Sequence, residues 1–111
     1  MAELNVFKTV THSVQDSSQT VYTAPTNYTG IVLSTQVANV TDSTHTLTFT
    51  YQDSASGPAT EILSQFSIPG RDAVGATSGK LVISTGGVLK MVSGGQNKLK
   101  AVIGVLESLN G

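Results

Sequence analysis

The sequence predicts an all-β domain, an antiparallel sandwich or barrel of about seven or eight short strands. Three observations carry that prediction. Apolar residues alternate with threonine over short windows, as in "THTLTFTYQD", which is the period of a strand with one buried face. Threonine, valine and isoleucine, which suit pleated surfaces, recur along the chain, and no window of a dozen residues holds a helical period. Clusters of glycine, proline, aspartate and serine punctuate the apolar stretches, as turns do between strands.

In chain order, "VFKTVTH" and "SQTVYTA" are the first candidates, separated by Asp16-Ser17-Ser18. Pro25 stops the second, because proline cannot donate into a sheet ladder. "GIVLSTQVANV" places Ile31, Leu33, Thr35 and Val37 on one face and Val32, Ser34, Gln36 and Ala38 on the other. In "THTLTFTYQD", Leu47, Phe49 and Tyr51 point one way and Thr46, Thr48 and Thr50 the other; "ATEILSQFSIP" puts Ile62, Ser64, Phe66 and Ile68 on one face. "KLVIS" and "VLKMVS" flank Thr85-Gly86-Gly87. "LKAVIGV" aligns Leu99, Ala101, Ile103 and Val105 after Gly94-Gly95-Gln96-Asn97. That glycine-rich spacing predicts a three-stranded meander in the last third. Ser54 to Ala59 and Gly70 to Ser78 are the longest irregular stretches, and the second holds the only arginine, Arg71.

At 111 residues the chain has room for one domain, residues 1–111, that buries roughly two-thirds of its unfolded surface. Charged residues make up 12% and the formal net charge is -1, which leaves no basic footprint for nucleic acid. Cysteine is absent, so disulfides, thiolate nucleophiles and cysteine-ligated zinc are excluded. Met1 to Val10 lacks the pattern of a signal peptide, and no segment approaches membrane-spanning length. The expectation is a soluble chain that works where it is made, without membrane contact. The sequons Asn27-Tyr28-Thr29 and Asn39-Val40-Thr41 read as chance in a threonine-rich chain.

The residues able to carry chemistry form no reactive constellation. His12 and His45 have no second histidine or acid at a strong metal-ligand spacing and read as exposed turn residues. No Gly-X-Ser-X-Gly elbow occurs. "GATSGKL" falls one residue short of a phosphate loop between its glycines, has leucine after the lysine, and leads into a strand. Asp16, Asp42, Asp53 and Asp72 sit in turn contexts rather than as a converging pair. The aromatics lie mostly on candidate core faces, apart from Lys90, Lys98 and Lys100, and these lysines read as a charged edge that blocks strand pairing. No catalytic, cofactor-binding or metal-binding residue emerges, and the expectation is that the chain is not an enzyme.

An absence of chemistry points toward assembly. Threonine and serine faces are nearly neutral and can hydrogen-bond when pressed against another subunit. The row Thr46-Thr48-Thr50 fits an interface and fits a solvated sheet face.

"VYTAPTNYTGIVLSTQVANVTDSTHTLTFTYQD", "FSIPG", "SGKLVISTGGVLKMVSG" and "LKAVIGVLE" together resemble a family of small virion proteins of tailed bacteriophages, over most of the chain from Thr20 to Glu107. The chain departs from the family pattern at Gly87, where aspartate is usual; Gly86-Gly87 still suits a tight turn that needs positive backbone angles. The resemblance implies an immunoglobulin-like or related β-sandwich and a structural role in the phage particle. The protein would assemble in the bacterial cytoplasm, pair with itself, and bind capsid or neck subunits. A capsid decoration or cement protein leads, with a neck, collar, tail or baseplate component next. The reading from a different class is a host-surface carbohydrate-binding module built on the loops Ser54 to Ala59 and Gly70 to Ser78, neither of which offers an aromatic platform. Phe7 and Val10 on a terminal strand, and Arg71 on a loop, are the candidate interface residues.

Overall fold

The computed structural model describes residues 5–54, 56–76 and 80–109. Among the described residues it holds nine strands: β1 (Asn5–Val14), β2 (Gln19–Thr23), β3 (Tyr28–Asn39), β4 (His45–Gln52), β5 (Thr60–Ile68), β6 (Ala73–Gly75), β7 (Leu81–Ile83), β8 (Val88–Ser93) and β9 (Leu99–Leu109). Two antiparallel sheets result. One runs β1-β9-β3, with β6 and β7 pairing successive parts of β3; the other runs β2-β8-β4-β5. The chain is all-β and sandwich-like, as the alternation predicts. The strand beyond the expected number is β6, inside the stretch read as irregular; Thr77 and Ser78 of that stretch, and Ala55 of the earlier loop, lie outside the described residues.

The core forms where the two inner faces meet. Val14, Val32, Val37, Leu99, Ile103 and Val105 face Leu47, Phe49, Ile68, Leu89 and Met91, all essentially excluded from water. Each large side chain removed from water there stabilises the fold by roughly 1.5–3 kcal/mol. Leu47 and Phe49 point inward with Tyr51 packed against the cluster, and Leu99, Ala101, Ile103 and Val105 are all buried, as their spacing predicts.

In β3 and β5 the alternation changes phase. The register of β3 against β9 shifts between Val32 and Ser34, so Leu33 is the extra residue of a bulge. Val32 is therefore buried and Leu33 exposed, while Thr35 and Val37 keep the inward face expected of them. In β5 the register against β4 shifts twice, and Gln65 takes a positive φ of 47°. Ile68 stays buried; Phe66, opposite the buried Leu47, is 43% exposed on this border strand, and across Gln65 the position opposite the core residue Phe49 passes to Leu63 rather than Ser64.

The expected C-terminal meander does not form. β7 pairs with β3, β8 pairs with β2 and β4, and β9 pairs with β1 and β3, so these three strands never pair with one another. The glycine-rich connections are corners that carry the chain between sheets. At the first, the Gly87 N–H donates to the Ser84 carbonyl at 2.7 Å and Gly86 has φ 82°, which is the glycine-requiring position of a type II turn. The Gly86 N–H and the Gly87 carbonyl both bond Ala24, docking the corner on the end of β2. Gly87 has no positive φ; it is required for room, since a Cβ there would lie 2.8 Å from Ile83 Cγ2 and 2.9 Å from the Ser84 carbonyl oxygen.

Candidate assembly surface

A β-sandwich exposes strand borders, and an unpaired border is a template for another strand unless it is blocked. Three of the borders here are interrupted. β2 has five residues and a register shift between Thr20 and Tyr22; β5 carries its two shifts; β6 and β7 have three residues each. β1 differs, with ten residues in unbroken register against β9, from Asn5 opposite Ser108 to Val14 opposite Leu99.

Alternation along β1 sorts its side chains. Val10, His12 and Val14 are turned inward and are partly or wholly buried, whereas Asn5, Phe7, Thr9 and Thr11 are exposed on the outer face. Phe7 is 75% exposed. Register partners share a face, and Phe7 lies opposite Leu106, Leu106 opposite Ile31, and Ile31 opposite Val82. The result is an apolar row across four strands on the outer face of one sheet, half-buried in its middle and with Phe7 and Val82 exposed at its ends.

Behind this row lies a buried charge. Glu107 continues the inward series of Leu99 to Val105 and is only 3% exposed. Its carboxylate accepts a hydrogen bond from the Tyr22 phenol at 2.7 Å and lies 3.0 Å from the Lys8 ammonium. Burial and then the bond to Glu107 push the Tyr22 phenol well above its ordinary pKa. Gly30 is the register partner of Glu107, and a Cβ there would lie 2.7 Å from Tyr22 Oη and 2.9 Å from Cε2. The missing side chain at Gly30 makes the space for the tyrosine ring. This group of residues was not singled out in the sequence, although the alternation of β9 extended by one more step reaches Glu107.

The sequence-predicted candidates fall in different places. Phe7 lies on the outer face, but Val10 lies on the opposite side of β1 and packs against the core, so the two do not form one surface. Arg71 is exposed, has φ 61°, and donates from Nε to Asp42 Oδ1 at 2.8 Å. An ion pair so open to solvent contributes at most about 1 kcal/mol. Together with the Arg71 N–H bond to the Thr41 carbonyl, it ties the β5–β6 connection to the β3–β4 connection.

The histidines are not turn residues. His45 opens β4, and His12 lies within β1 with Nε2 buried and unpartnered, so that burial lowers its pKa below the ordinary histidine value. Among the described residues no group of three histidines or acids gathers as a metal site. An open depression of about 350 Å³ is lined by Thr11, His12, Ser13, Lys100, Ala101 and Val102. The Ser13 hydroxyl there donates to Asn97 Oδ1 at 2.7 Å and accepts from Lys100 Nζ at 2.9 Å, which holds it in a structural network.

The three lysines do not form a protective edge. Lys90 is on β8 and Lys100 on β9, interior strands of different sheets. Within the threonine row, the Thr48 hydroxyl accepts the Gln65 N–H at 3.0 Å, holding the bulge of β5. Asn39, 2% exposed, donates both Nδ2 hydrogens to the Ser43 and Ile68 carbonyls and accepts from Thr41. Its sequon has no free nitrogen for a glycan in this fold.

No protein-family model matches the chain, and no curated protein matches it.

Proposed function

We propose that the chain is a non-enzymatic structural protein of a bacteriophage virion, which associates with itself and with neighbouring virion subunits as a capsid decoration or cement protein. The observation that carries this reading is the apolar row Phe7, Leu106, Ile31 and Val82 on the outer face of a sheet, in a chain with 12% charged residues. An exposed apolar row next to an unblocked strand border is the equipment of a subunit that is covered by another protein. The likeness of Thr20 to Glu107 to small phage virion proteins supplies the setting. Symmetric repetition on a particle turns a modest contact into firm attachment by raising effective concentration.

Quantitative mass spectrometry of purified particles from the source phage tests the proposal. A copy number close to that of the major capsid protein supports decoration of the shell. A trace but reproducible ratio moves the chain to a neck, collar, tail or baseplate station. Absence from the particles overturns the virion reading.

A further inference from the structure

We infer that the partner covering β1 is a second copy of this chain, paired β1 to β1 in antiparallel fashion about a two-fold axis at Thr9, so that the β1-β9-β3 sheets of the two copies become one. The inference names the partner for the self-association part of the proposed function and rests on that part alone.

Hydrogen bonds at the end of β1 fix which backbone groups face the open border. The Val14 carbonyl accepts the Asn97 N–H at 3.0 Å, on the β9 side, whereas the Ser13 carbonyl is taken by its own neighbour, Gln15 Nε2, at 2.9 Å. Backbone groups alternate sides along a strand. Asn5, Phe7, Thr9 and Thr11 therefore share the phase of Ser13 and turn their N–H and carbonyl groups outward. An antiparallel partner must match outward groups with outward groups. A two-fold axis at Thr9 does this: Thr9 faces Thr9, Phe7 faces Thr11, and Asn5 faces Ser13, whose carbonyl has a second lone pair beside the one given to Gln15.

The side chains agree with this register. Lys8 is the one charged residue on β1, and an inward-pointing lysine ordinarily guards a strand border. Here its ammonium is neutralised by Glu107 of its own chain, and the register sets it opposite Val10 of the other copy rather than opposite its own equivalent. On the outer face Phe7 of one copy lies beside Thr11 of the other, whose own register partner is Val102, 48% exposed. The apolar row of one copy thus runs on into Val102 of the next. The interrupted borders at β2, β5, β6 and β7 offer no comparable length. A border contact buries less than the roughly 1,200–2,000 Å² of a stable free-standing interface, so the dimer forms with rising concentration and is reinforced by tethering on a particle.

Sedimentation velocity over a rising concentration series tests the pairing. The native chain is expected to shift from monomer to dimer. Thr9→Lys and Thr9→Glu, each alone, are expected to weaken association at least tenfold by setting like charges face to face, and an equimolar mixture is expected to restore it. Thr9→Pro removes an outward N–H and leaves the β1–β9 ladder intact; it is expected to melt like the native chain and remain monomeric. A native chain that stays monomeric throughout, or a dimer indifferent to both charge variants, overturns the inference. The virion reading fails separately: a dimer absent from particles removes that reading alone, while a monomer abundant on particles removes the β1 pairing alone.

Discussion

Tyr22 in β2 and Glu107 in β9 meet across the interior of the sandwich, where the phenol donates to the buried carboxylate at 2.7 Å and joins the two sheets through residues 85 positions apart. Lys8 reaches the same carboxylate from β1, so one acid links three strands. A buried carboxylate is tolerated only while its partners remain.

Tyr22→Phe removes the neutral partner and leaves the carboxylate under-satisfied. The expected loss is about 1–3 kcal/mol of stability, read by urea denaturation. Combining it with Glu107→Leu recovers part of the loss, because deleting both ends of a buried hydrogen bond costs less than deleting one, and Lys8 is half-exposed and can turn to water. A double variant that is the sum of its singles contradicts the coupling.

Gly30→Ala drives a methyl group into the Tyr22 ring, with 2.7 Å to Oη and 2.9 Å to Cε2 before relaxation. The ring cannot retreat without releasing Glu107, so a loss of about 1–3 kcal/mol is expected. In a Tyr22→Leu background the same change is expected to cost less. The comparison is made by chemical denaturation of the four proteins of the cycle.

His12 gives the fold a pH dependence of defined sign. Burial lowers its pKa from 6.5, so the unfolded chain takes up the proton first as pH falls. The stability it allows is present above about pH 6.5 and is lost as pH drops through that value toward the folded-state pKa. Denaturation midpoints at about pH 7.5 and pH 5 are expected to differ less in His12→Gln than in the native chain. Equal slopes in the two proteins place the acid sensitivity elsewhere.

Gly86 and Gly87 are adjacent glycines with different duties. Gly86→Ala strains a backbone at φ 82° and is expected to cost about 1–2 kcal/mol. Gly87→Asp places a carboxylate where a Cβ meets Ile83, the Ser84 carbonyl and Tyr51. It is expected to cost more, about 2–4 kcal/mol, because crowding and a buried charge act together. Thermal melts that rank the two variants the other way contradict this division.

Much of the fold was legible because alternation reports burial directly. β4 and β9 keep one phase throughout, and their core residues Leu47, Phe49, Leu99, Ala101, Ile103 and Val105 were read as buried and are. β3 and β5 depart from a single phase because a bulge inserts one residue: before Leu33 the inward position is Val32 rather than Ile31, and across Gln65 it is Leu63 rather than Ser64. The pairing of β7, β8 and β9 was out of reach, since a glycine-rich connection serves a hairpin or a corner between sheets and local spacing does not tell them apart. Phe7 is a candidate because it lies on a terminal strand, and it is exposed. Val10 was picked out beside it, but an odd spacing on a strand puts neighbours on opposite sides. Glu107 went unread because an acid in phase with a core looks like the end of a strand until its partners are placed.

The first strand and the last are neighbours, with Asn5 opposite Ser108 and Val14 opposite Leu99. On the ribosome β1 emerges before β9 and has to wait for it, an interval of roughly ten seconds at ordinary translation speeds. Through that interval both of its sides are unpaired, and the nascent chain carries a ten-residue strand that has no ladder on either side until the sheet that shelters it exists.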